Sequence, residues 1–174
     1  MNAAILCPGP SLLDTFDATK PHGLLIAVNR AAMVTKVDWW VFSDQHVWTD
    51  NAPPGTPKIF TRQSIEDSYR HWPVFQNHER LTFKEVAQTH PDTYRWRIFS
   101  TTAAMVLACH LGATTINVYG CDMAGTDEYD GPPEHEVNRS DGRWRKEAAI
   151  VQSTMGHLAE RGATVNRITS NGNL

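Results

Sequence analysis

Four short polar stretches of the sequence each follow an apolar segment and are candidates for ligand binding. They are Gly9-Pro10-Ser11, Asn29-Arg30, Ser43-Asp44-Gln45-His46 and Gly120-Cys121-Asp122. If the apolar segments are parallel strands, their carboxyl ends meet at one edge of a sheet, which is where open α/β sheets bind ligands. One such stretch would be an ordinary turn, whereas four at the same edge predict a binding site.

The first two stretches suit the phosphate and the nucleoside of a nucleotide. Gly9 has no Cβ and lets its backbone approach an anionic or sugar ligand closely. Ser11 can donate to a phosphate at the positive end of the next helix, or simply cap that helix. Asn29 can bind a base or ribose and Arg30 a phosphate, with a solvated turn as the alternative. Neither a Gly-x-Gly-x-x-Gly fingerprint nor a Walker loop is present.

Two further positions offer hydroxyl groups and a carboxylate. After Ser43, Asp44 can bind a ribose hydroxyl or a metal, act as a base, or cap the following helix. Ser100 and Thr101 open the clearest predicted helix of the chain, where hydroxyls and free N–H groups suit a carboxylate or phosphate. Capping of the helix by Ser100 or Thr101 is the competing interpretation.

An acidic stretch begins at Asp122 and continues into a long predicted loop, 124–142. Its other ionisable groups are Asp127, Glu128, Asp130, Glu134, His135 and Glu136. Asp122 is a candidate ligand of Mg²⁺, because this ion is usually bound by one or two carboxylates together with substrate phosphates. Tyr129 and His135 are candidates for acid or base catalysis. The spacings typical of zinc sites are absent, and a solvated acidic loop is the alternative for the whole stretch.

Alternating strand and helix patterns predict one α/β domain over 1–174, Rossmann-like and doubly wound, with a mostly parallel sheet and helices on both faces. The predicted strands are Ala3–Cys7, Gly23–Val28, Asp38–Phe42, Lys58–Thr61, Thr115–Tyr119 and Ala163–Ile168, and the predicted helices are Leu12–Ala18, Thr101–Leu111 and Arg143–Arg161. The rest of segment 48–95 is polar with scattered aromatics, which predicts an irregular or lid-like insertion or short helices.

Composition excludes several classes of protein. The 174 residues carry a formal net charge of −3 and a pI near 6.2, so no strong basic field favours nucleic acid. No apolar run approaches a membrane span. The three cysteines, Cys7, Cys109 and Cys121, are widely spaced and odd in number, which is typical of a reduced, cytoplasmic protein. Six tryptophans are compatible with a core, a lid or a homo-oligomer interface.

The ordered motifs resemble those of two related protein families. The motifs are Cys7-Pro8-Gly9-Pro10-Ser11-Leu12, Ala27-Val28-Asn29-Arg30, Trp40-Val41-Phe42-Ser43-Asp44, the stretch from Ser100 to Asp122, and Lys146-Glu147. One family is the small bacterial sialyltransferases that use CMP-sialic acid. The other contains the motility accessory factors and the archaeal hydroxymethylpterin diphosphokinase. The resemblance omits 48–95.

This resemblance implies a Rossmann-like domain with specific nucleotide-binding residues. They are Gly9, Pro10, Ser11, Asn29, Ser100 and Asp122. In the sialyltransferases, tyrosines after the Gly-x-Asp motif hold the departing phosphate and a histidine at the late helix is the base. Ala124 and Trp144 stand where the nearer tyrosine and the histidine are expected, which leaves Tyr129 and the displaced His135 as substitutes.

Three functions therefore stay open. The leading one is a glycosyltransferase-like enzyme that transfers a sugar from a nucleotide donor, with Arg30 on the phosphate and His135 or Asp44 as base. The second is a diphosphokinase-like enzyme that uses Mg²⁺ on Asp122 to align ATP. The third is a non-catalytic nucleotide-binding protein. No further cofactor is indicated.

Overall fold

A single β-sheet dominates the structure, a computed structural model that describes residues 1–45, 47, 53–72, 75–91, 95–125, 127–131, 140–169 and 172–173. Its strands in these residues are β1 (Asn2–Leu6), β2 (Leu24–Val28), β3 (Trp39–Val41), β4 (Lys58–Thr61), β5 (Arg80–Thr82), β6 (Thr115–Tyr119), β7 (Thr164–Thr169) and β8 (Gly172–Asn173). The spatial order is β5-β4-β3-β2-β1-β6-β7-β8. All neighbours pair parallel except β7 and β8, which confirms the mostly parallel sheet.

Helices connect most of the strands. They are α1 (Leu12–Thr15), α2 (Gln63–Tyr69), α3 (Phe83–Val86), α4 (Ser100–His110) and α5 (Asp141–Glu160), with 3₁₀ turns at Asn29–Met33 and Trp96–Ile98. Apolar and small side chains make α4 almost entirely buried, whereas α5 is amphipathic. None of the helices in the described part of the chain is long and apolar enough to cross a membrane.

Both faces of the sheet are covered, because side chains along a strand alternate between faces. Ile5 and Ile26 pack in a core cluster with α4 and with Val151 of α5. The next residues, Leu6 and Ala27, lie in a second cluster with Leu12 of α1 and Tyr69 of α2. This arrangement confirms the predicted doubly wound α/β fold with helices on both faces.

The middle of the chain is more regular than its sequence predicts. The predicted strand Lys58–Thr61 is confirmed as β4, and the remaining described residues of 48–95 contain the short helices α2 and α3 and the unpredicted strand β5, which extends the parallel sheet. β5 has only three residues, of which Arg80 is exposed, so its hydrophobic pattern is too short to recognise. Phe60, Tyr69 and Phe83 are buried and anchor this region to the core.

Strand order reverses at β1. The chain runs outward from β1 to β5 and then crosses back to place β6 on the other side of β1. Such a reversal opens a crevice beyond the carboxyl ends of the two adjacent strands, and ligands of doubly wound folds bind there. The loops that follow β1 and β6 therefore form the centre of the candidate site.

Candidate functional site

The loops after β1 and β6 are bonded to each other. The N–H of Cys7 donates to the Tyr119 carbonyl and the N–H of Gly9 donates to the Gly120 carbonyl, both at 2.9 Å. A Cβ on Gly9 would overlap the Gly120 carbonyl and the Asp122 carboxylate. Gly9 was expected to give a ligand room to approach, but the chain's own backbone and Asp122 occupy the space beside it.

Asp122 fixes the start of α1. Its Oδ2 accepts the backbone N–H of Ser11 at 3.0 Å. Among the described residues, the buried hydroxyl of Ser11 has no hydrogen-bond partner and does not cap α1, so the alternative of a side-chain cap is wrong. An acidic side chain from the loop after β6 supplies that acceptor instead.

A cleft of about 610 Å³ lies above this junction, within the usual volume range of small-molecule sites. It brings together nine of the predicted site residues: Gly9, Pro10, Asn29, Arg30, Ser43, Asp44, Ser100, Thr101 and Asp122. Ser11 and Tyr129 are not among its lining residues, and His135 lies outside the described residues. Parallel strand ends have thus gathered the polar stretches at one edge, as the sequence predicts.

Asn29 is held in an unusual backbone conformation at the cleft. Its φ is +50°, in the left-handed region that asparagine adopts more readily than most residues. The Asn29 carbonyl accepts the indole N–H of Trp40 at 2.9 Å, which fixes the turn. The side-chain Oδ1 is buried and has no hydrogen-bond partner in the described residues. This polar atom can therefore accept from a ligand.

Arg30 is paired with the acidic loop. Its Nη2 lies 2.6 Å from Asp130 Oδ2 and its Nε lies 3.7 Å from Glu128 Oε2, the latter carboxylate being buried. The predicted contact of Arg30 with phosphate would have to compete with these carboxylates. Arg30 consequently ties the 127–131 segment to the carboxyl end of β2.

Tyr129 connects the 127–131 segment to the loops that follow β1 and β2. Its hydroxyl donates to the Arg30 carbonyl at 3.0 Å, and its N–H donates to the Pro8 carbonyl at 3.0 Å. Burial, with Asp130 nearby, raises the pKa of the phenol above its usual value. These contacts support a structural role for Tyr129, in contrast to the predicted catalytic one.

The amino-terminal end of α4 forms one wall of the cleft. Ser100 Oγ and Ser43 Oγ lie 3.1 Å apart, and both residues are buried. Helix α4 begins after Phe99 and no side chain of the described residues caps it, so the predicted capping by Ser100 or Thr101 is wrong. The first three N–H groups of the helix have no acceptor within it and carry the positive end of its dipole. An anion is therefore favoured beside this helix end.

Three cations in the cleft were not predicted as binding residues from the sequence. Arg62 lies after β4, and Arg143 and Lys146 lie in the first two turns of α5. Arg62 belongs to the region whose pattern was too weak to interpret, and α5 was recognised as an amphipathic helix with the Lys146-Glu147 motif, without a binding role for its cations. The i, i+3 spacing of Arg143 and Lys146 is the signal that could have identified them, since it places both on one helix face.

Carboxylates of the described cleft lining belong to Asp44, Asp122, Asp127, Glu128 and Glu147. Asp44 and Asp127 are exposed, whereas Glu147 is buried beside Arg143, with 4.0 Å between Oε2 and Nε. No group of three histidine, cysteine, aspartate or glutamate side chains suited to a metal occurs in the described residues. Glu134 and Glu136, which were considered as partners of a metal on Asp122, lie outside them.

Two thiols lie on the floor of the cleft. Cys7 and Cys121 follow β1 and β6 and are both buried. A hydrogen bond with the Cys121 thiol, together with burial, raises the pKa of Cys7 well above its ordinary value. Cys7 is consequently a neutral thiol at physiological pH and a poor nucleophile.

Solved structures resemble this fold, although no protein-family model and no curated protein sequence matches the chain. One is the sialyltransferase CstII from Campylobacter jejuni in complex with the substrate analogue CMP-3FNeuAc, with a TM-score of 0.59, 11% identity, and coverage of 98% of this chain and 81% of that one. CST-II in complex with a trisaccharide acceptor and CMP gives a TM-score of 0.59 at 11% identity, covering 98% and 82%. The Campylobacter jejuni enzyme with cytidine-5′-monophosphate gives 0.55 at 13%, covering 99% and 82%. The chain therefore has an α/β fold similar to that of these sialyltransferases.

Proposed function

We propose that the protein binds a nucleotide-sugar in the cleft and transfers its sugar to an acceptor. The observation that carries the proposal is the convergence of Asn29, Ser43, Ser100 and Thr101 on one cleft at the reversal of the strand order. The similar fold of sialyltransferases that hold CMP and a CMP-sugar analogue supports it.

Binding of the donor would use neutral polar groups and a helix end. The unpartnered Oδ1 of Asn29 can accept from an amino group of the base or from a ribose hydroxyl. The N–H groups and hydroxyls at Ser100 and Thr101 suit the phosphate. Negative charge that develops on the departing phosphate would be stabilised by the same preorganised donors. This step is therefore assigned to the protein's own donors, and the screen with and without Mg²⁺ tests that assignment.

The acceptor hydroxyl needs a base at the mouth of the cleft. Asp44 lines the cleft and is exposed, so its carboxylate is accessible to an incoming acceptor. His135 stays a second candidate. Tyr129 is not used as a base in this proposal, because its hydroxyl donates to the Arg30 carbonyl.

A ligand screen tests the proposal directly. We would measure thermal stabilisation by CMP, CMP-sialic acid, the UDP-, GDP- and dTDP-sugars, ATP and GTP, each with and without Mg²⁺. The expected result is metal-independent stabilisation by a nucleotide-sugar, reduced by Asn29→Ala but not by Gln88→Ala at an exposed surface position. Stabilisation by ATP only with Mg²⁺ would contradict it in favour of a diphosphokinase.

Turnover separates an enzyme from a binding protein. Release of the free nucleotide from the stabilising donor should be faster with protein than without it, and slower in Asp44→Asn than in the native chain. A donor that binds tightly and is never consumed, even with mixed sugar acceptors, would identify a non-catalytic nucleotide-binding protein instead.

A further inference from the structure

We infer that the cleft binds a second anionic group of its ligand, separate from the phosphate at α4, between Arg62, Arg143 and Lys146. The inference rests on the proposed function and narrows its substrate class. The ligand would be a nucleotide that carries a second phosphate or an acidic sugar, instead of a nucleoside monophosphate joined to a neutral sugar.

Two arginine side chains contact the segment that immediately precedes α4. Arg62 Nη2 lies 3.4 Å from the Arg97 carbonyl and 3.5 Å from the Ile98 carbonyl. The Arg143 guanidinium carbon lies 5.3 Å from the centre of the Phe99 ring. Because Ile98 and Phe99 are adjacent, one arginine from the end of β4 and one from α5 converge on the same wall of the cleft.

Lys146 extends this basic wall. It follows Arg143 by three residues on α5, so the two side chains leave the same side of the helix. Both line the cleft. The three cations come from two parts of the chain that are distant in sequence, which is why tertiary structure was needed to show that they line one cleft.

Charge on this wall is poorly compensated within the described residues. Arg30 has two carboxylates near it, whereas among the described residues Arg62 contacts only backbone carbonyls and Lys146 has no carboxylate within 4.0 Å. Arg143 has Glu147 at 4.0 Å, the limit of an ion pair. Because the described lining of the whole cleft carries five carboxylates against four cations, attraction of an anion is confined to direct contact with this wall.

The chemistry of these groups selects a phosphate or a carboxylate. A guanidinium presents two N–H groups in the spacing of two anionic oxygens, and a lysine adds a point charge. The helix end at Ser100 already suits one phosphate. The cations at Arg62 and Lys146 thus suit a second anion, and a cleft of about 610 Å³ has room for both groups and a nucleoside.

The test compares nucleotides that differ only in their anionic groups. Dissociation constants would be measured by titration calorimetry without Mg²⁺ for the mono- and diphosphates of cytidine, uridine, adenosine and guanosine, and for CMP-sialic acid. In the native chain, a diphosphate or CMP-sialic acid should bind about tenfold more tightly than the matching monophosphate. A preference for the diphosphate identifies the second group as phosphate, and a preference for CMP-sialic acid alone identifies it as carboxylate.

Substitution assigns the preference to these residues. The Arg62→Gln/Lys146→Gln chain should lose the preference while keeping the affinity for the monophosphate within about twofold. Arg145→Gln is the matched control, because Arg145 is exposed on α5 next to Lys146 and does not line the cleft. Lys146→Gln alone should lose part of the preference, and thermal melting would verify that each variant is folded.

Failures of the two proposals are distinguishable. Equal affinity for monophosphates, diphosphates and CMP-sialic acid would overturn the second anion position but leave nucleotide binding standing. A preference that survives in the Arg62→Gln/Lys146→Gln chain would also overturn it. Absence of binding by every nucleotide would contradict the proposed function itself and the second anion position with it.

Discussion

The Ser11 N–H donates a 3.0 Å hydrogen bond to Asp122 Oδ2, across 111 residues of sequence. This bond connects the loops that follow the two central strands and holds the floor of the cleft. A residue that was considered as a magnesium ligand is therefore also a structural acceptor, which changes what its substitution should do.

We expect Asp122→Ala to lower the free energy of unfolding by about 1.5–3 kcal/mol, because it leaves a backbone donor without its charged acceptor. Asp122→Asn should cost less, since its amide oxygen can still accept from Ser11. Urea denaturation of both variants checks the order. Equal stability of the native and Asp122→Ala chains would show that the bond does not stabilise the fold.

Asp122→Asn also tests magnesium binding. If Asp122 bound the ion, loss of its negative charge would remove any dependence of nucleotide affinity on Mg²⁺. We expect no such dependence in the native chain, so affinity should be the same with Mg²⁺ and with a chelator. A Mg²⁺ requirement that disappears in Asp122→Asn would support the diphosphokinase function.

Gly9→Ala should be strongly destabilising. The added methyl group would overlap the Gly120 carbonyl and the Asp122 carboxylate, so the loop after β1 has to shift away from β6. A cost of about 1–3 kcal/mol is typical of such crowding. Gly156→Ala is the control, because its added methyl group on α5 meets no atom within 4 Å and should be neutral or stabilising. Thermal melting that ranks the two variants otherwise would contradict the proposed crowding.

Tyr129→Phe separates structure from catalysis. The variant loses the hydrogen bond to the Arg30 carbonyl, and a cost of about 1 kcal/mol in unfolding free energy is expected. Donor turnover per folded molecule should stay close to that of the native chain. A large loss of turnover without a loss of stability would restore the predicted catalytic role of the phenol.

Acid stability should reflect a buried histidine away from the cleft. His90 is only 4% exposed, and its ring lies 5.9 Å from that of His110 and 5.8 Å from that of His157. Burial, together with Arg161 and these two histidines, lowers the pKa of His90 from 6.5 to about 4. His90 is therefore neutral in the folded protein under conditions that protonate it in the unfolded chain.

The direction of the pH effect follows from linkage. Above pH 6.5 His90 is neutral in both states and does not change stability. As the pH falls from 6.5 to about 4, the unfolded chain binds a proton that the folded chain excludes, which lowers the unfolding free energy by about 1.4 kcal/mol per pH unit. His90→Gln should make this decline shallower, measured by urea denaturation at several pH values. The same flattening in the exposed-site control His71→Gln would rule out this assignment.

Sequence patterns predicted the central strands and the strand-end residues, because both are local signals. Apolar runs mark β1 and β2, alternating apolar residues mark β6, and the polar residues after these strands meet at one edge by the geometry of parallel sheets. Short polar β5 has no such run, and its place at the edge comes from pairing with β4. Strands with a clear hydrophobic pattern can thus be predicted from sequence, whereas a short strand such as β5 is determined by its pairing with a neighbour.

Site details that depend on distant contacts were not predictable. The function of Gly9 depends on the position of Gly120, and the pairing of Arg30 depends on Asp130, a hundred residues away. The Arg62 side chain is held at the cleft by hydrogen bonds that it donates to the carbonyl groups of Arg97 and Ile98. The sequence around each of these residues does not indicate which distant residue it will contact.

The pairing of β1 with β6 has a consequence for how the protein assembles. Leu6 lies opposite Tyr119, so the floor of the cleft closes only after a long intervening chain has been brought into place. Contacts of such separation slow folding, because the entropy of loop closure is lost before the contacts form. During synthesis, β1 has an open edge until β6 leaves the ribosome. We therefore expect the ability to bind a ligand to appear late in folding, after β6 has paired with β1.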